Sequence, residues 1–125
     1  MKRGKDWFRQ SEADLDAAKN LLESKNYEWA CFVAQQSAEK SVKGKLNQFG
    51  YEVRGHSIVE LLETLEKETE VTEEIKTAGR KLDLYYIPSR YPDAYPSCAP
   101  VNKFDKEMAK EAVKLAEQIN AFTKK

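Results

Sequence analysis

This sequence is poor in the residues that most often carry chemistry at enzyme sites. It contains one histidine, His56, and two cysteines among 125 residues. Two cysteines cannot form a disulfide framework, and one histidine leaves no His/Cys set at the spacing of a zinc site. Glycine occurs only five times, and none of the glycines forms a phosphate-binding loop. The sequence therefore excludes a P-loop or dinucleotide-binding fold, and it predicts neither a metal nor a cofactor.

An excess of charge of one sign is also missing, as are long apolar runs. The 21 basic and 21 acidic residues cancel, so no overall attraction draws the chain to nucleic acid, and DNA is not expected as a partner. A local basic patch is still compatible with this balance. There is no run of about 18 apolar residues that would span a membrane, and the basic N-terminus has no apolar segment typical of a signal peptide. We therefore expect a cytoplasmic protein with one domain, residues 1–125.

Helical periodicity, in contrast, runs through almost the whole chain. Apolar residues at three- and four-residue spacing predict a first helix over 6–24, with Asp6 as its cap, and a second helix over 27–49. Asn26 is suited to cap the second helix, and Gly50 to end it. The short connection predicts an antiparallel hairpin. A row of small residues in the second helix indicates close packing against the first helix or a second subunit: Ala30, Ala34, Ser37, Ser41 and Gly44.

The second half of the chain continues this pattern. Ser57 and Glu60 match a capping box at the start of a short third helix. An acidic connection follows, with Thr72 as the cap of a fourth helix that stops before Pro88. Asn102 is the predicted cap of the last helix. We find no convincing strand and no internal repeat. The predicted fold is all-α, an up-and-down bundle of about five helices with a Pro/Tyr-rich loop before the last helix.

The most distinctive segment is 85–96, which reads YYIPSRYPDAYP. Its prolines restrict the backbone to turns and extended pieces, so it resembles a stiff loop that presents side chains. We predict ligand or partner contacts at Arg90, Tyr91, Asp93 and Tyr95. A guanidinium binds phosphate, tyrosine rings stack on bases, and the aspartate orients the arginine. The same composition also fits a helix end whose tyrosines pack on the bundle and whose arginine and aspartate simply pair.

Polar residues on the second helix form a further candidate surface. Gln36, Lys40 and Lys43 share one face by helical spacing, and Glu39 is four residues from Lys43, at the spacing of a favourable ion pair. We predict Lys40 and Lys43 as additional ligand contacts on a polar wall that meets the Arg90 loop. The alternative is an ordinary solvated helix face. Gln35 falls within the apolar stripe and needs a hydrogen-bond partner if it is buried.

The cysteines and the histidine offer little chemistry by themselves. Cys31 lies among apolar residues and is predicted to be a small core residue, whereas Cys98 falls in the proline-rich segment. We interpret His56, just before a helix cap, as a structural loop residue that bonds to backbone or packs on the second helix. A catalytic pair of Cys98 and His56 lacks any supporting flanking motif.

Four segments together resemble the HEPN domain family. They are DWFRQSEADLDAA at 6–18, YEWACFVAQQSAEKSVK at 27–43, GHSI followed by ELL at 55–62, and YIPSRYPDAY at 86–95. The resemblance covers nearly the whole chain. It implies a compact helical bundle, commonly a homodimer, in a family named for nucleotide binding. It also implies a partner, since members often occur beside a minimal nucleotidyltransferase in toxin–antitoxin pairs or in one fused chain.

Many members of this family resemble metal-independent RNases that carry an arginine followed, after four to six residues, by a histidine. Arg90 matches that arginine, but Tyr95, Pro96 and Ser97 stand where the histidine would be. Histidine exchanges protons near neutral pH, and tyrosine ordinarily does not. The resemblance therefore favours a nucleotide- or RNA-binding module without catalysis. Two alternatives stay open: an endoribonuclease toxin with a degenerate site, in which Tyr95 or His56 replaces the histidine, and a dimeric interaction subunit without a ligand.

Overall fold

The computed structural model describes residues 3–86 and 103–125, and within these ranges it contains five α-helices and no strand. This confirms the predicted all-α bundle of about five helices. The helices are α1 (Gly4–Glu23), α2 (Tyr27–Gln48), α3 (Ile58–Leu65), α4 (Glu73–Asp83) and α5 (Lys106–Thr123). The segment that was predicted to carry ligand contacts lies between α4 and α5, outside the described residues.

The predicted cap at Asp6 is wrong, whereas Asn26 is the N-cap residue of α2 as predicted, although its side chain makes no bond to the helix. α1 begins at Gly4, and Asp6 lies inside its first turn, where it pairs with the side chain of Arg3 at 3.3 Å. A carboxylate in the first turn still complements the positive end of the helix dipole. Asn26 occupies the N-cap position of α2, but its side chain donates to Ser24 Oγ at 2.8 Å instead of accepting from the helix. In both cases the side chain bonds to a residue close by in sequence, and such local bonds compete with capping of the helix.

Three other end signals are confirmed. Gly50 follows α2 with a φ of +90°, a left-handed conformation that glycine adopts without strain. Ser57 Oγ accepts from the main-chain N–H of Glu60 at 3.2 Å, and Thr72 Oγ1 accepts from that of Ile75 at 3.3 Å. These bonds satisfy N–H groups that the helices leave free at their starts.

The last helix begins later than the sequence predicted. Asp105 is its N-cap, since Asp105 Oδ1 accepts from the N–H of Met108 at 2.9 Å, and the helix starts at Lys106. The prediction of Asn102 as the cap was therefore wrong, and Asn102 itself lies outside the described residues. Asp and Asn are both strong N-cap residues, so the sequence alone could not choose between two candidates three positions apart.

α1 and α2 form the predicted antiparallel hairpin. Ser11 Oγ donates to the carbonyl of Ser37 at 2.7 Å, and Ser37 Oγ donates to that of Ser11 at 2.8 Å. Farther along, a Cβ atom at Gly44 would come within 3.0 Å of the Phe8 ring. The small residues of α2 therefore allow close contact with α1 inside the same chain, which was one of the two predicted explanations for them.

α5 lies beside α2 and runs in the same direction. Asn120 Nδ2 donates to Ser37 Oγ at 3.0 Å, and Lys45 Nζ donates to the carbonyl of Lys125 at 2.8 Å. From the first contact to the second, the residue number rises along both helices, as it does when two helices run parallel. The segment 49–57 returns the chain from the end of α2 toward the middle of that helix, where the His56 carbonyl accepts from Gln35 Nε2.

The core is formed by the apolar stripes of all five helices. Its largest fully buried apolar side chains are Leu46, Ile58, Leu62, Leu65, Leu82, Ile119, Val42 and Cys31. The predicted core position of Cys31 is thus confirmed. Among the described residues, no helix combines the length and apolar character needed to cross a bilayer.

Candidate functional site

Most of the predicted contact residues lie where the structure gives no description. Arg90, Tyr91, Asp93 and Tyr95 all fall within 87–102, outside the described residues, so their roles stay predictions. The described chain stops at Tyr86 just before this segment. The surface around Tyr86 is therefore the described part of the molecule that adjoins the predicted contacts in sequence.

A buried carboxylate lies at the centre of this surface. Glu39 of α2 has a side chain that is only 3% exposed, and its Oε2 atom accepts from Lys43 Nζ at 3.0 Å. Lys43 is itself buried and also lies over the Trp7 ring, 5.4 Å from its centroid. The interpretation of this part of α2 as a solvated face is therefore wrong for these two residues. They form an ion pair inside the protein, where removal of either partner would leave an uncompensated charge.

His56 provides the second partner of this carboxylate. Its Nδ1 atom lies 3.3 Å from both carboxylate oxygens of Glu39, while 55% of the His56 side chain is exposed. The main-chain carbonyl of His56 accepts from Nε2 of the buried Gln35 at 2.9 Å. This bond supplies the partner that Gln35 was predicted to need, and it fixes the His56 backbone against α2.

The His56 ring also stacks on Tyr86. Their ring centroids are 4.8 Å apart, and the ring planes are inclined by 17°. The Tyr86 ring in turn packs against the Phe32 ring, with 6.0 Å between their centroids. The Phe32 ring packs against that of the half-exposed Trp29, also with 6.0 Å between centroids. The four rings form an aromatic row from α2 to the end of α4. The prediction that His56 packs on the second helix is thus confirmed through Glu39, with Tyr86 as an additional neighbour.

Asp83 joins the two chain segments that carry His56 and Tyr86. Its carboxylate accepts from the main-chain N–H groups of Ile58 at 2.8 Å and Val59 at 3.0 Å, and from Ser57 Oγ at 3.1 Å. One side chain at the end of α4 thus caps the start of α3. Because His56 precedes this cap directly and Tyr86 follows Asp83 by three residues, the cap positions both rings.

The two predicted lysine contacts are already paired. Lys40 Nζ lies 2.7 Å from Asp14 Oδ2 of α1, and Lys43 binds Glu39 as described. An anion would have to share these ammonium groups with a carboxylate. Their roles as ligand contacts stay predictions.

The described cysteine is not suited to nucleophilic chemistry. Burial raises the pKa of the Cys31 thiol to about 12, with smaller contributions from Asp105 and Glu28. A thiol is nucleophilic only as the thiolate, so Cys31 is inert near neutral pH. Cys98 lies outside the described residues. Within 3–86 and 103–125, no group of three or more His, Cys, Asp or Glu side chains has the arrangement of a metal site.

The helical spacing of α2 does contain a signal for the buried carboxylate, although the charge of Glu39 concealed it. Gln35, Glu39, Val42 and Leu46 follow the four-three-four spacing of one helix face. Glu39 thus belongs to the apolar stripe, although its charge suggested a solvated position. The partner, His56, is 17 residues away across an irregular segment, and no local pattern connects the two.

Comparison with known proteins identifies the family. The family model described as HEPN domain matches residues 5–125. The chain is a HEPN domain protein. Among solved structures, this HEPN chain is similar to TT1696 from Thermus thermophilus, with 41% identity, a TM-score of 0.96, and 99% of this chain and 98% of that chain covered. It is also similar to ST0689, an archaeal HEPN homologue, with 42% identity, a TM-score of 0.84, and 99% and 97% of the two chains covered.

A curated relative adds a biological context. The HEPN chain is 27% identical over 128 residues to "Putative toxin MJ1304" of Methanocaldococcus jannaschii, and the alignment covers 95% of this chain and 84% of that protein. The resemblance inferred from the four sequence segments is thereby confirmed.

Proposed function

We propose that this HEPN protein binds single-stranded RNA or a nucleotide, and that it acts as the toxin-side member of a pair with a separately encoded minimal nucleotidyltransferase. The observation that supports ligand binding is the stacked pair of His56 and Tyr86. The pair exposes an imidazole beside a buried ion pair, and Tyr86 stands four residues before Arg90 in the sequence.

The chemistry of these groups suits a nucleotide unit. Aromatic rings bind bases by stacking with little sequence preference, and a guanidinium binds phosphate through two parallel hydrogen bonds. Arg90 follows Tyr86 by four residues in the sequence. In this proposal a base of the ligand stacks on the aromatic row and Arg90 binds its phosphate.

The biological role is supported by the family and by one relative. The relative named "Putative toxin MJ1304" aligns with 95% of this chain, and HEPN proteins of this size commonly work beside a minimal nucleotidyltransferase. We also propose a homodimer. Because the 21 basic and 21 acidic residues balance, RNA binding would depend on a few local contacts and have a shallow salt dependence.

Calorimetric titration tests the binding proposal. ATP, GTP and a short single-stranded RNA are titrated into the wild-type protein, the Arg90→Ala variant and the Arg9→Ala variant. Arg9 is an exposed arginine of α1 and serves as the matched control. We expect saturable binding that Arg90→Ala abolishes and Arg9→Ala retains. No binding to any of the three ligands, together with a stable dimer in light scattering, would instead support an interaction subunit without a ligand.

Co-expression tests the toxin proposal. Expression of the HEPN chain alone in a bacterial host is expected to slow growth, and expression with a nucleotidyltransferase encoded next to its gene is expected to restore it. Unimpaired growth on strong expression of soluble protein would contradict the toxin role.

A further inference from the structure

We infer that a buried polar network of Ser11, Ser37 and Asn120 fixes the register of α5 on the α1–α2 hairpin, and that apolar packing alone would also accept α5 displaced by one helical turn. We call these three side chains the register lock. The lock holds the last helix in one of two alignments that differ little in apolar contact. It acts on the fold and is independent of the proposed ligand.

The three side chains of the lock come from three helices and bond to one another. Ser11 and Ser37 are 0% exposed, and Asn120 is 3% exposed. Asn120 Nδ2 donates to Ser37 Oγ at 3.0 Å and to the Ala116 carbonyl at 2.9 Å, while Asn120 Oδ1 lies 2.5 Å from Ser11 Oγ. A buried amide without partners is costly. The lock therefore gives Asn120 a well-paired position between α1 and α2.

A second buried pair supports the same alignment. Ser41 Oγ and Thr123 Oγ1 bond to each other, and Thr123 Oγ1 donates to the Asn120 carbonyl at 3.1 Å. Ser41 follows Ser37 by four residues on α2, and Thr123 follows Asn120 by three on α5. Both polar contacts between α2 and α5 are thus satisfied together in this register.

The apolar contacts of α5 select this register only weakly. Ala116 lies one turn before Asn120 on the same buried face. If α5 moved four residues toward the C-terminal end of α2, Ala116 would occupy the present position of Asn120. An apolar residue would then stand at each position of α5 that is now buried between 112 and 123: Met108, Ala109, Ala112, Leu115, Ala116 and Ile119.

The polar contacts, in contrast, would be lost in the displaced register. Ser11 and Ser37 would face the methyl group of Ala116 instead of an amide, and Ser41 would face Ile119. Polar side chains that match in one alignment only are known to fix the register of packed helices at some cost in stability. Shifts of one element past another by a single helical turn also occur in proteins. The lock therefore decides between two alignments that packing leaves close.

The register of α5 has a consequence at the far end of this helix. Phe104, just before α5, packs against Tyr85, with 5.7 Å between the ring centroids. Displacement of α5 by one turn would carry its start about 5 Å along the bundle, which is enough to separate these rings. The lock thus also positions the residues beside Tyr86, although it lies near the other end of α5.

Distances between spin labels test the inference in the full chain. The labels are attached at Arg9→Cys and Lys110→Cys in a Cys98→Ser background, where Cys31 is buried. Both sites are exposed. They lie far apart along α1 and α5, which run antiparallel, as the pairs Lys19–Glu117 and Lys124–Glu12 show. A one-turn displacement of α5 therefore changes the distance between the labels by about 5 Å.

Removal of the lock should reveal the second register. We expect a single distance with the lock intact. The combination Ser11→Ala, Ser37→Ala and Asn120→Leu should add a second distance that differs by about one turn. Its urea midpoint should stay close to that of the parent, because the polar partners are removed together and none is left unpaired. Gln118→Leu is the matched control, since it replaces a half-buried amide of α5 outside the lock, and it should retain the single distance.

A second variant moves the lock instead of removing it. Ala116→Asn combined with Asn120→Ala places the amide one turn earlier on α5. The inference predicts that α5 then advances until this amide meets Ser11 and Ser37, so the displaced distance should become the main one. A network that only stabilises the fold would lower the urea midpoint and leave the distance unchanged.

The outcomes decide without reference to any ligand. The parental distance alone in both combined variants overturns the register lock, whatever their urea midpoints. If only one of the two variants folds, its distance decides. Failure of both to fold also overturns the inference, because apolar packing would then not accept the displaced helix. None of these results bears on the proposed binding of RNA or a nucleotide.

Discussion

Asp83 at the end of α4 accepts a 2.8 Å hydrogen bond from the main-chain N–H of Ile58 at the start of α3. This bond and its neighbour at Val59 connect two helix ends that are 25 and 24 residues apart in sequence. Together, the two bonds place the loop that carries His56 next to the turn that carries Tyr86. The candidate site therefore depends on a helix cap supplied from another helix.

Removal of this cap should destabilise the protein. Asp83→Ala leaves two N–H groups of α3 without their partner, and we expect a loss of about 1–3 kcal/mol in the free energy of unfolding. Urea unfolding followed by circular dichroism provides the measurement. Asp16→Ala removes an exposed aspartate of α1 and should change stability by less than about 0.5 kcal/mol. Equal midpoints for the two variants would show that the cap contributes little.

The stack on Tyr86 should matter for ligand binding. Tyr86→Ala removes the ring 4.8 Å from His56, and we expect RNA binding to weaken by about 1–3 kcal/mol, the usual contribution of one aromatic ring. Tyr86→Phe retains the ring and should bind nearly as well as the wild-type protein. Fluorescence anisotropy with labelled RNA measures both. If Tyr86→Phe loses as much affinity as Tyr86→Ala, the hydroxyl and not the stack is the important group.

The contact between α1 and α2 should not tolerate an extra methyl group. A Cβ atom at Gly44 would lie 3.0–3.2 Å from three ring atoms of Phe8. We expect Gly44→Ala to destabilise the fold by about 1–3 kcal/mol through overpacking, which outweighs the gain of about 1 kcal/mol from the better helix propensity of alanine. A thermal unfolding cycle with Phe8→Ala tests the cause. In that background Gly44→Ala should become neutral or stabilising, and an unchanged cost would place the strain elsewhere.

The thiol of Cys31 should resist alkylation in the folded protein. Because burial raises its pKa to about 12, we expect very slow modification by iodoacetamide at pH 8, and rapid modification once urea unfolds the chain. The measurement is made in a Cys98→Ser background, so that all signal comes from Cys31. Rapid labelling of the folded protein would show that the α2 core opens readily.

The same shift gives a pH dependence of stability with a definite sign. The unfolded chain loses this thiol proton near the ordinary pKa of 9.0, whereas the folded chain retains it up to about 12. The Cys31 contribution is therefore complete below pH 9 and declines as the pH rises from 9 toward 12. In this pH range, the free energy of unfolding of the Cys31→Ala variant should depend less on pH than that of the wild-type protein.

Much of the local structure followed from the sequence. Apolar spacing identified the five helices found within 3–86 and 103–125, and Gly50, Ser57 and Thr72 marked helix ends as predicted. These signals are local, since a helix stripe and a cap involve residues only a few positions apart. The caps predicted at Asp6 and Asn102 were wrong, and Asn26 holds its N-cap position without a side-chain bond to the helix. Several polar residues near each helix start could serve as the cap, and local bonds compete with capping.

The sequence by itself determined a helical bundle, its family and the absence of a histidine after Arg90. Only the tertiary structure brought Glu39 and His56 together, because the segment 49–57 returns along α2 and the cap at Asp83 holds it there. It also made a charged residue of α2 part of the interior, next to Lys43. Periodicity in the sequence indicates which side chains share a helix face. Packing between distant segments decides which partner covers that face.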